Sequence, residues 1–344
     1  MSSWRTVPGP ENDVVLSTRI RLARNVSGFL FPVKMGSSER HALTEKIKAV
    51  LSDPNSVLFQ TLHFVDMASL TQTQAVALVE RNEVSADFIT ERDGRALLVT
   101  SDESSAVMVN EEEHFIIQTF GSGLVLKETY TEADRLDTVL NKAFGFAFDR
   151  KLGFLTQNPM HLGTGMIASV FLHLPALADS GATGRLASNL SKLGLSLRGA
   201  YGYAAKQHGS IFQLSNEVTL GLSEQEAISN LTAMTRQIAA QERDTRKKLM
   251  ENVGVQDTIW RSLGILKNAR LLSGEEFSDL ISIVRFGVAG GIIQGVSLEE
   301  IAALMMRSQP ATLTEESRKP LTVEERRVIR AQLARETLGG AGCG

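Results

Sequence analysis

The sequence predicts an α+β protein in which an antiparallel sheet flanked by helices is followed by a small all-helical C-terminal domain. Three short runs rich in Val, Ile and Phe are separated by polar turns, which is typical of an antiparallel meander. They are "ALLVT" (96–100), "AVMVN" (106–110) and "FIIQTF" (115–120). From residue 255 to residue 338 only helical patterns occur. We therefore place an α+β domain at residues 1–253 and a helical domain with a Gly-rich tail at residues 254–344.

The remaining elements of the first domain follow from hydrophobic period and capping residues. Thr131 with Asp134 and Ser223 with Glu226 each mark the start of a helix. The predicted order is an irregular arm (1–13), helices (38–52 and 67–82), the three strands, a helix (131–148), a strand (153–157), a loop (158–165), a helix from about 165, strands (195–202 and 211–221) and a helix ending near 251.

Three further capping pairs mark helix starts in the second domain, because Ser or Thr followed three residues later by Glu satisfies free N–H groups. The pairs are Ser273 with Glu276, Ser297 with Glu300, and Thr322 with Glu325. Pro310 and Pro320 flank a segment that we predict to be a polar linker.

Composition narrows the classes of function. The net charge of −3 gives no general attraction to nucleic acid or to an anionic membrane. Cys343 is the only cysteine, which excludes an intramolecular disulfide and a Cys-based metal site and fits a reducing cytoplasm. The N-terminus lacks the apolar segment of a signal peptide, and the longest apolar run (165–178) is too short to span a bilayer. We expect a cytoplasmic protein that binds neither nucleic acid nor membrane.

The stretch "VVLSTRIRLAR" (14–24) combines an apolar strand-like run with three arginines. Arg19 and Arg21 alternate along it, so both side chains should project from one face. Two neighbouring guanidinium groups favour an anion, and phosphate oxygens match their fork of donors. The alternative is a solvated edge strand that carries charges against aggregation.

The segment "NEEEH" (110–114) lies between two apolar runs and places three carboxylates in one turn. A carboxylate pair can bind a cationic group or remove a proton from it. The alternative is an ordinary solvated turn. No set of His, Asp or Glu residues has the spacing of a metal site.

Two Gly-containing segments suggest further anion contacts. In "NPMHLGTG" (158–165), Gly163, Thr164 and Gly165 directly precede the predicted helix, whose N-terminal N–H groups would favour an anion. In "LRGAYG" (197–202), Arg198 ends a predicted strand and has glycines after it.

The order of these segments resembles the phosphagen (ATP:guanidino) kinases. The stretches 14–25, 109–118, 155–177 and 197–221 occur in one chain in that order. The sequence is most similar to the bacterial protein-arginine kinases, which add a helical C-terminal domain. The resemblance implies a phosphagen-kinase catalytic domain, ATP with Mg²⁺, and protein substrates phosphorylated on arginine. It also implies a homodimer through the C-terminal domain and partners of the Clp stress-protease system.

The resemblance gives each segment a role. It implies that Arg19, Arg21 and Arg198 hold the ATP phosphates, on a strand that Ser17, Thr18 and Ile20 complete. It implies that Glu111 and Glu112 position the guanidinium group and take its proton, beside a phosphate and substrate loop at Gly163, Thr164 and Gly165. The tail motif at Arg326, Arg327 and Arg330 matches a motif linked to phosphoarginine sensing.

Several residues depart from the family pattern. Ile116 and Ile167 stand where the pattern has arginines, and Asn158 and His161 replace a Cys and an Asn. Tyr203 replaces a substrate-holding Glu, and Arg327 replaces the Asp of the tail motif. An arginine in phosphoryl transfer contributes about 10³–10⁵ in rate, so losing two removes roughly 8 kcal/mol at the low end if the effects add. Two hypotheses therefore stand: a protein-arginine kinase with a depleted phosphate clamp, or a pseudokinase that acts as an adaptor.

Overall fold

The computed structural model describes residues 3–52, 58, 61–200 and 208–342. Its centre is an eight-stranded sheet in the order β2-β3-β4-β5-β1-β8-β10-β9, with every neighbouring pair antiparallel. The strands are β1 (Val15–Arg24), β2 (His63–Asp66), β3 (Ala96–Val99), β4 (Ser105–Val109), β5 (Phe115–Ser122), β8 (Met166–His173), β9 (Leu195–Gly199) and β10 (Ile211–Asn216), with β6 (Phe148–Asp149) and β7 (Gly153–Phe154) forming a separate pair. The predicted antiparallel meander is confirmed as β3, β4 and β5.

The helix predicted from residue 165 is wrong, because Met166–His173 is a central strand. A continuous apolar run of this length fits a buried strand as well as a helix. Here β8 is hydrogen-bonded to β1 on one side and to β10 on the other, so pairing with distant residues decides its conformation. Only the short helix α4 (Pro175–Asp179) follows it. The strand predicted at 153–157 is also shorter, being limited to Gly153–Phe154.

Helices cover one face of the sheet. They are α1 (Ser37–Leu51), α3 (Leu126–Phe144), α5 (Thr183–Ser191) and α6 (Glu224–Met250), while α2 (Gln72–Glu80) packs elsewhere. The helix α3 begins five residues before the predicted cap, and Thr131 donates to the Lys127 carbonyl within it (3.0 Å). Ile20 and Leu22 of β1 and Val170 of β8 belong to the large core beneath these helices. We call this the core face, and the opposite side the front face.

The C-terminal region is helical, as predicted. Its helices are α7 (Val253–Asn268), α8 (Gly274–Ala289), α9 (Leu298–Arg307), α10 (Pro310–Glu316) and α11 (Val323–Leu338). Ser223, Ser273, Ser297 and Thr322 each accept the backbone N–H three residues later, which confirms the predicted helix starts. The segment between Pro310 and Pro320 is not a linker throughout, because α10 occupies its first half. None of the helices within the described ranges is long and apolar enough to cross a membrane.

The helical region is fastened to the rest of the protein by polar contacts. Glu80 of α2 accepts hydrogen bonds from the N–H groups of Ala311 (2.9 Å) and Thr312 (2.8 Å) at the start of α10. The buried Arg285 donates to the Asn12 carbonyl (2.7 Å), and Asn12 donates to Glu299 (2.6 Å). The division at residue 253 stays a prediction, but these contacts hold both regions together.

We predict that Glu80→Ala loosens α10 while leaving the sheet folded. Removing the carboxylate strips the first N–H groups of a short helix of their acceptor, a loss of about 1–2 kcal/mol by analogy with other helix caps. Limited proteolysis should cut sooner near residues 310–320. Glu128→Ala, at an exposed position of α3, is the control; equal cleavage rates in both variants would contradict the prediction.

Candidate functional site

The front face of β1 carries the two alternating arginines, as the sequence predicts. Arg19 lies between Phe120 of β5 and Ser169 of β8, and Arg21 lies between Gln118 and Ile167. Paired residues of antiparallel strands share one face of a sheet, so these side chains form two adjacent rows. The edge-strand alternative is wrong, because β1 is central.

Arg19 is shielded without being neutralised. Its guanidinium lies 5.2 Å from the centre of the Phe171 ring, and its Nε is buried without a hydrogen-bond partner. Burial, with a contribution from the charge of Arg21, lowers the pKa of Arg19 to about 9, so the side chain remains cationic at pH 7. A buried cation with an unpaired N–H group favours an anionic ligand.

Arg24, the third arginine of the stretch, has a structural role. Its Nε donates to Asp137 (2.6 Å), its Nη1 donates to the Thr164 carbonyl (2.9 Å), and its guanidinium stacks over Phe154 at 3.5 Å. These partners leave it no part in a phosphate clamp. Instead it fixes the turn that leads into β8.

The turn at Gly163, Thr164 and Gly165 differs from the prediction in the element that follows it, while its role as a phosphate and substrate loop stays a prediction. It precedes a strand, so it has no helix N-terminus. The N–H of Thr164 donates to the Thr219 carbonyl (3.0 Å), and the N–H of Met166 donates to Thr164 Oγ1 (3.2 Å). With these donors already paired, the turn supports Arg24 and β8.

The other predicted members of the binding strand divide between the two faces. Ile20 is fully buried in the core, and Thr18 Oγ1 donates to the Gly123 carbonyl (2.6 Å), so both side chains are structural. Ser17 faces the front and lines a cavity of about 140 Å³ with Phe120 and Phe171. Helix α9 closes the other side of this cavity.

The turn "NEEEH" is held by its buried members. Asn110 has a φ of 59° and donates to the Gly94 carbonyl (2.7 Å). Glu113 accepts from Asn25 (2.5 Å) and from the N–H of Gln157 (2.9 Å). His114 accepts from the N–H of Val26 through Nδ1 (3.0 Å), and burial lowers its pKa to about 4, so it is neutral at pH 7.

Glu111 and Glu112 project from this rigid turn towards the front face. Glu111 accepts from Ser85 Oγ (2.6 Å), and its Oε1 lies 3.9 Å from Nη2 of Arg21. Glu112, with 39% of its side chain exposed, accepts from Nδ2 of Asn158 (2.9 Å) and lies 3.6 Å from Nδ1 of His161. The structure therefore places a carboxylate pair next to Arg21, which together with Arg19 we call the arginine row.

Sequence reasoning missed Ser85 and did not assign His161 to the site. Ser85 follows α2 in an irregular segment without a motif, so nothing in the sequence signals its contact with Glu111. The sequence did contain a signal for His161, because this residue replaces the Asn of the family pattern. Asn158 was noted only as a loss, yet its amide donates to Glu112.

Arg198 lies on the front face at the far edge of the sheet. Arg198 lies opposite Gln213 of β10, which lies opposite Phe171 of β8. Its neighbour Leu197 faces the core, so Arg198 faces the front, in the row next to that of Arg19. Three strand spacings of about 4.8 Å place it roughly 14 Å from β1. Its side chain is 56% exposed and lies 2.9 Å from Glu217. The residues after it, including Tyr203, lie outside the described part of the chain.

The two isoleucines at family arginine positions have different surroundings. Ile116 is 2% exposed and packs with Ala23 and Met108 in a small apolar cluster on the front face. Ile167 is only half-buried and lies directly opposite Arg21. An added charge at 167 would meet the arginine row, whereas one at 116 would enter an apolar cluster.

The tail arginines are separate from this site. Arg330 is buried and donates to the carbonyls of Ser308 (2.9 Å) and Leu272 (2.9 Å). Arg326 donates to the Leu321 carbonyl (2.8 Å), and Arg327 lies 3.4 Å from Glu324 on the surface. Arg330 therefore holds helices together, and the predicted regulatory role of Arg326, Arg327 and Arg330 stays a prediction.

Two family models match this chain. Residues 42–245 match the family model "ATP:guanido phosphotransferase, C-terminal catalytic domain", and residues 252–342 match "Protein-arginine kinase McsB C-terminal domain". The protein-arginine kinase of Clostridium acetobutylicum is 39% identical over 98% of this chain and 100% of its own length. That of Moorella thermoacetica is 38% identical over 98% of each chain.

Solved structures share the fold of the catalytic region. The duplicated taurocyamine kinase of Schistosoma mansoni, with bound transition state analog components, matches with a TM-score of 0.58 and 27% identity. The match covers 67% of this chain and 33% of that chain. Lombricine kinase matches with a TM-score of 0.59 and 20% identity over 67% of each chain.

We predict that Gly165→Ala destabilises the protein by about 2 kcal/mol or more, because the φ of +63° disfavours a side chain and the new Cβ would lie 2.6 Å from Nη1 of Arg24. Gly184→Ala is the matched control, since its Cβ meets nothing within 4 Å in a helix, where Ala is favoured over Gly. Denaturant unfolding measures both. Equal stability of the two variants would refute the structural role of the turn.

Proposed function

The chain belongs to the protein-arginine kinase branch of the ATP:guanido phosphotransferase family, and we propose that it transfers the γ-phosphoryl group of ATP to arginine side chains of proteins. The observation that carries this proposal is the placement of Glu111 beside Arg21 on the front face, with Glu112 next to it in the same turn. The carboxylates would bind the cationic guanidinium group and the arginines would bind phosphate, so the two reacting groups would meet between them.

The carboxylates would compensate for the weak nucleophilicity of the substrate arginine. A guanidinium group is protonated at pH 7, and its nitrogen lone pairs are delocalised. We propose that Glu111 and Glu112 bind its N–H groups and aim one nitrogen at the γ-phosphorus, while the site accepts one proton. Ser85 and Asn158, which donate to the two carboxylates, fix their direction and stabilise their charge.

The arginines would stabilise the negative charge of the transferring phosphoryl group. In a loose transition state this charge spreads over three oxygens, and preorganised donors stabilise it. Arg19 and Arg21 face the same side as the carboxylates, and Arg198 lies on that side too, near the edge of the sheet. We propose that Mg²⁺ enters with ATP, held by phosphate oxygens and water. Within the described ranges, no three His, Cys, Asp or Glu side chains form a site that would hold it without nucleotide.

A second candidate function is that of a pseudokinase adaptor. The observation that favours it is the apolar side chain of Ile167 opposite Arg21, since a phosphate oxygen facing it gains no hydrogen bond. The fold would then serve protein binding through the helical region. Retention of the paired carboxylates favours the kinase.

We propose further that the protein works in the cytoplasm as a homodimer with partners of the Clp stress-protease system. Support for the dimer comes from the family and from exposed apolar residues of the helical region, including Val253 (77% exposed) and Val323 (65% exposed). Light scattering at micromolar concentration tests it. A monomer would contradict the dimer without affecting the proposed reaction.

The reaction is tested with radiolabelled ATP and an arginine-rich protein substrate. Phosphoarginine is acid-labile, so label that is lost in acid but retained in base separates it from phosphoserine. A thermal shift with MgATP separates the candidates further, since a ligand that binds the folded state stabilises it. Binding without transfer would favour the pseudokinase, and transfer would exclude it.

We predict that Glu111→Gln lowers phosphotransfer by more than 100-fold and changes MgATP affinity less than threefold. The variant keeps the shape of the side chain but loses the charge that holds the guanidinium, while the nucleotide contacts lie on β1. Initial rates and MgATP thermal shifts measure the two effects. Glu128→Gln on exposed α3 is the control. Loss of ATP binding in Glu111→Gln would show that the carboxylate role is wrongly assigned.

We predict that Ile167→Arg raises kcat/KM by more than tenfold and tightens MgATP binding, because it adds a guanidinium beside Arg21 on the front face. The double variant with Ile116→Arg should be less stable than the single one, since residue 116 is buried in an apolar cluster. Val33→Arg, at an exposed position, controls for net charge. If rate and affinity are both unchanged in folded Ile167→Arg, phosphate charge is not what limits the site.

A further inference from the structure

His161 lies against the carboxylate pair, and the reaction proposed above gives it no role. It ends the short 3₁₀ turn Pro159–His161, and its Nδ1 lies 3.6 Å from Oε2 of Glu112. The family pattern has Asn at this position, so the imidazole is a property of this chain. Its position next to a proton-accepting site raises the question of what the ring does.

The turn fixes the position of the ring. The N–H of His161 donates to the Asn158 carbonyl (3.0 Å), and Asn158 Oδ1 accepts the N–H of Met160 (3.0 Å). Thr219 Oγ1 lies 2.8 Å from the carbonyl oxygens of both Met160 and Leu162. The side chain of Asn158 also reaches Glu112, so the turn and the carboxylate are positioned together.

The two ring nitrogens of His161 differ in accessibility. Among the described residues, its Nδ1 is one of the few buried side-chain nitrogens without a hydrogen-bond partner. The side chain as a whole retains 19% exposure, and of its two ring nitrogens only Nδ1 is both buried and unpaired. If the proton resides on Nδ1, facing Glu112, Nε2 has a free lone pair.

We propose that His161, oriented by Glu112, is the catalytic group that takes the proton of the substrate arginine. This rests on the proposed kinase function. The guanidinium N–H bond breaks and its proton goes to Nε2, while the freed lone pair forms a bond to the γ-phosphorus of ATP. The bond from that phosphorus to the β,γ-bridging oxygen breaks, and ADP leaves with the electron pair. The imidazolium then releases its proton to water.

The surrounding charges suit this role. The charged groups that act on the ring are Glu112 and Glu111 on the β4–β5 turn and Arg21 on β1. Burial lowers the pKa of His161 below its usual value of 6.5, Arg21 acts in the same direction, and the two carboxylates oppose them. The ring is therefore neutral at pH 7 and free to accept a proton. Glu112 already accepts from Asn158, and a carboxylate is a weaker base than imidazole.

The pH dependence follows from this assignment. As the pH falls through the pKa of His161, the ring is protonated and can no longer act as a base, so kcat should fall along an acid limb. His161→Asn removes Nε2 but keeps an amide that can donate to Glu112. We expect its kcat to drop by about 10²–10⁴, the usual contribution of a general base, and the acid limb to disappear. The KM for ATP should change less than threefold.

A matched histidine provides the control. His41 of α1 faces Asp93 (3.0 Å) on the exposed surface, so His41→Asn removes a similar pair outside the site. Rates of both variants and of the wild type are measured from about pH 5 to pH 9 with ATP and an arginine-rich protein. Restoration of His161→Ala activity by added imidazole would support the base assignment, because a purely structural role would not respond to a free base.

The outcomes distinguish this inference from the proposed function. An active wild type with an equally active His161→Asn, showing the same acid limb, overturns the role of His161 and leaves the kinase standing. A wild type without phosphotransfer overturns both. If His161→Asn fails to fold, imidazole nitrogen chemical shifts of the wild type decide: a proton on Nδ1 supports the proposal, and a proton on Nε2 at pH 7 overturns it.

Discussion

The two-sided pairing of β1 is the constraint on which the rest of the site depends. This strand is hydrogen-bonded to β5 along one edge and to β8 along the other, so its register is fixed twice. Since side chains alternate along a strand, Ile20 and Leu22 enter the core while Arg19 and Arg21 face the front. A slip of one residue would place both guanidinium groups in the core, so the register of β1 also decides that Arg19 and Arg21 face the front.

The same strand also positions the carboxylates. Asn25, the residue after β1, donates to Glu113 and accepts the N–H of His114 (3.0 Å) within the turn that carries Glu111 and Glu112. Both partners are buried, so breaking these bonds would leave polar groups unpaired at a cost of about 1–3 kcal/mol each. Buried residues of the motif thus provide rigidity, and its half-buried carboxylates, Glu111 and Glu112, reach the front face. Because Asn25 directly follows β1, the strand that carries Arg19 and Arg21 also positions the turn that carries the carboxylates.

The polar character of the site is shifted towards the carboxylates. On the phosphate side, two positions that carry arginine in the family are isoleucines, one buried and one facing Arg21. On the carboxylate side, Asn158 and His161 replace Cys and Asn and contact or approach Glu112. In the proposed reaction, fewer donors would meet the phosphoryl group, while more groups would orient the guanidinium and receive its proton. The kinase hypothesis therefore rests on the carboxylate side of the site, whereas the pseudokinase hypothesis rests on the two isoleucines of the phosphate side.

What the sequence determined by itself was mostly local. The meander, the helix starts at Ser223, Ser297 and Thr322 and the shared face of Arg19 and Arg21 follow from period and capping, which involve residues only a few positions apart. The motif order likewise identified the family. Tertiary structure alone decided that 166–173 is a strand, because its hydrogen-bond partners lie far away in the sequence. It also decided that the N–H of Thr164 is already paired, that Arg24 is structural and that Ser85 reaches Glu111, since each depends on which distant group satisfies a given donor.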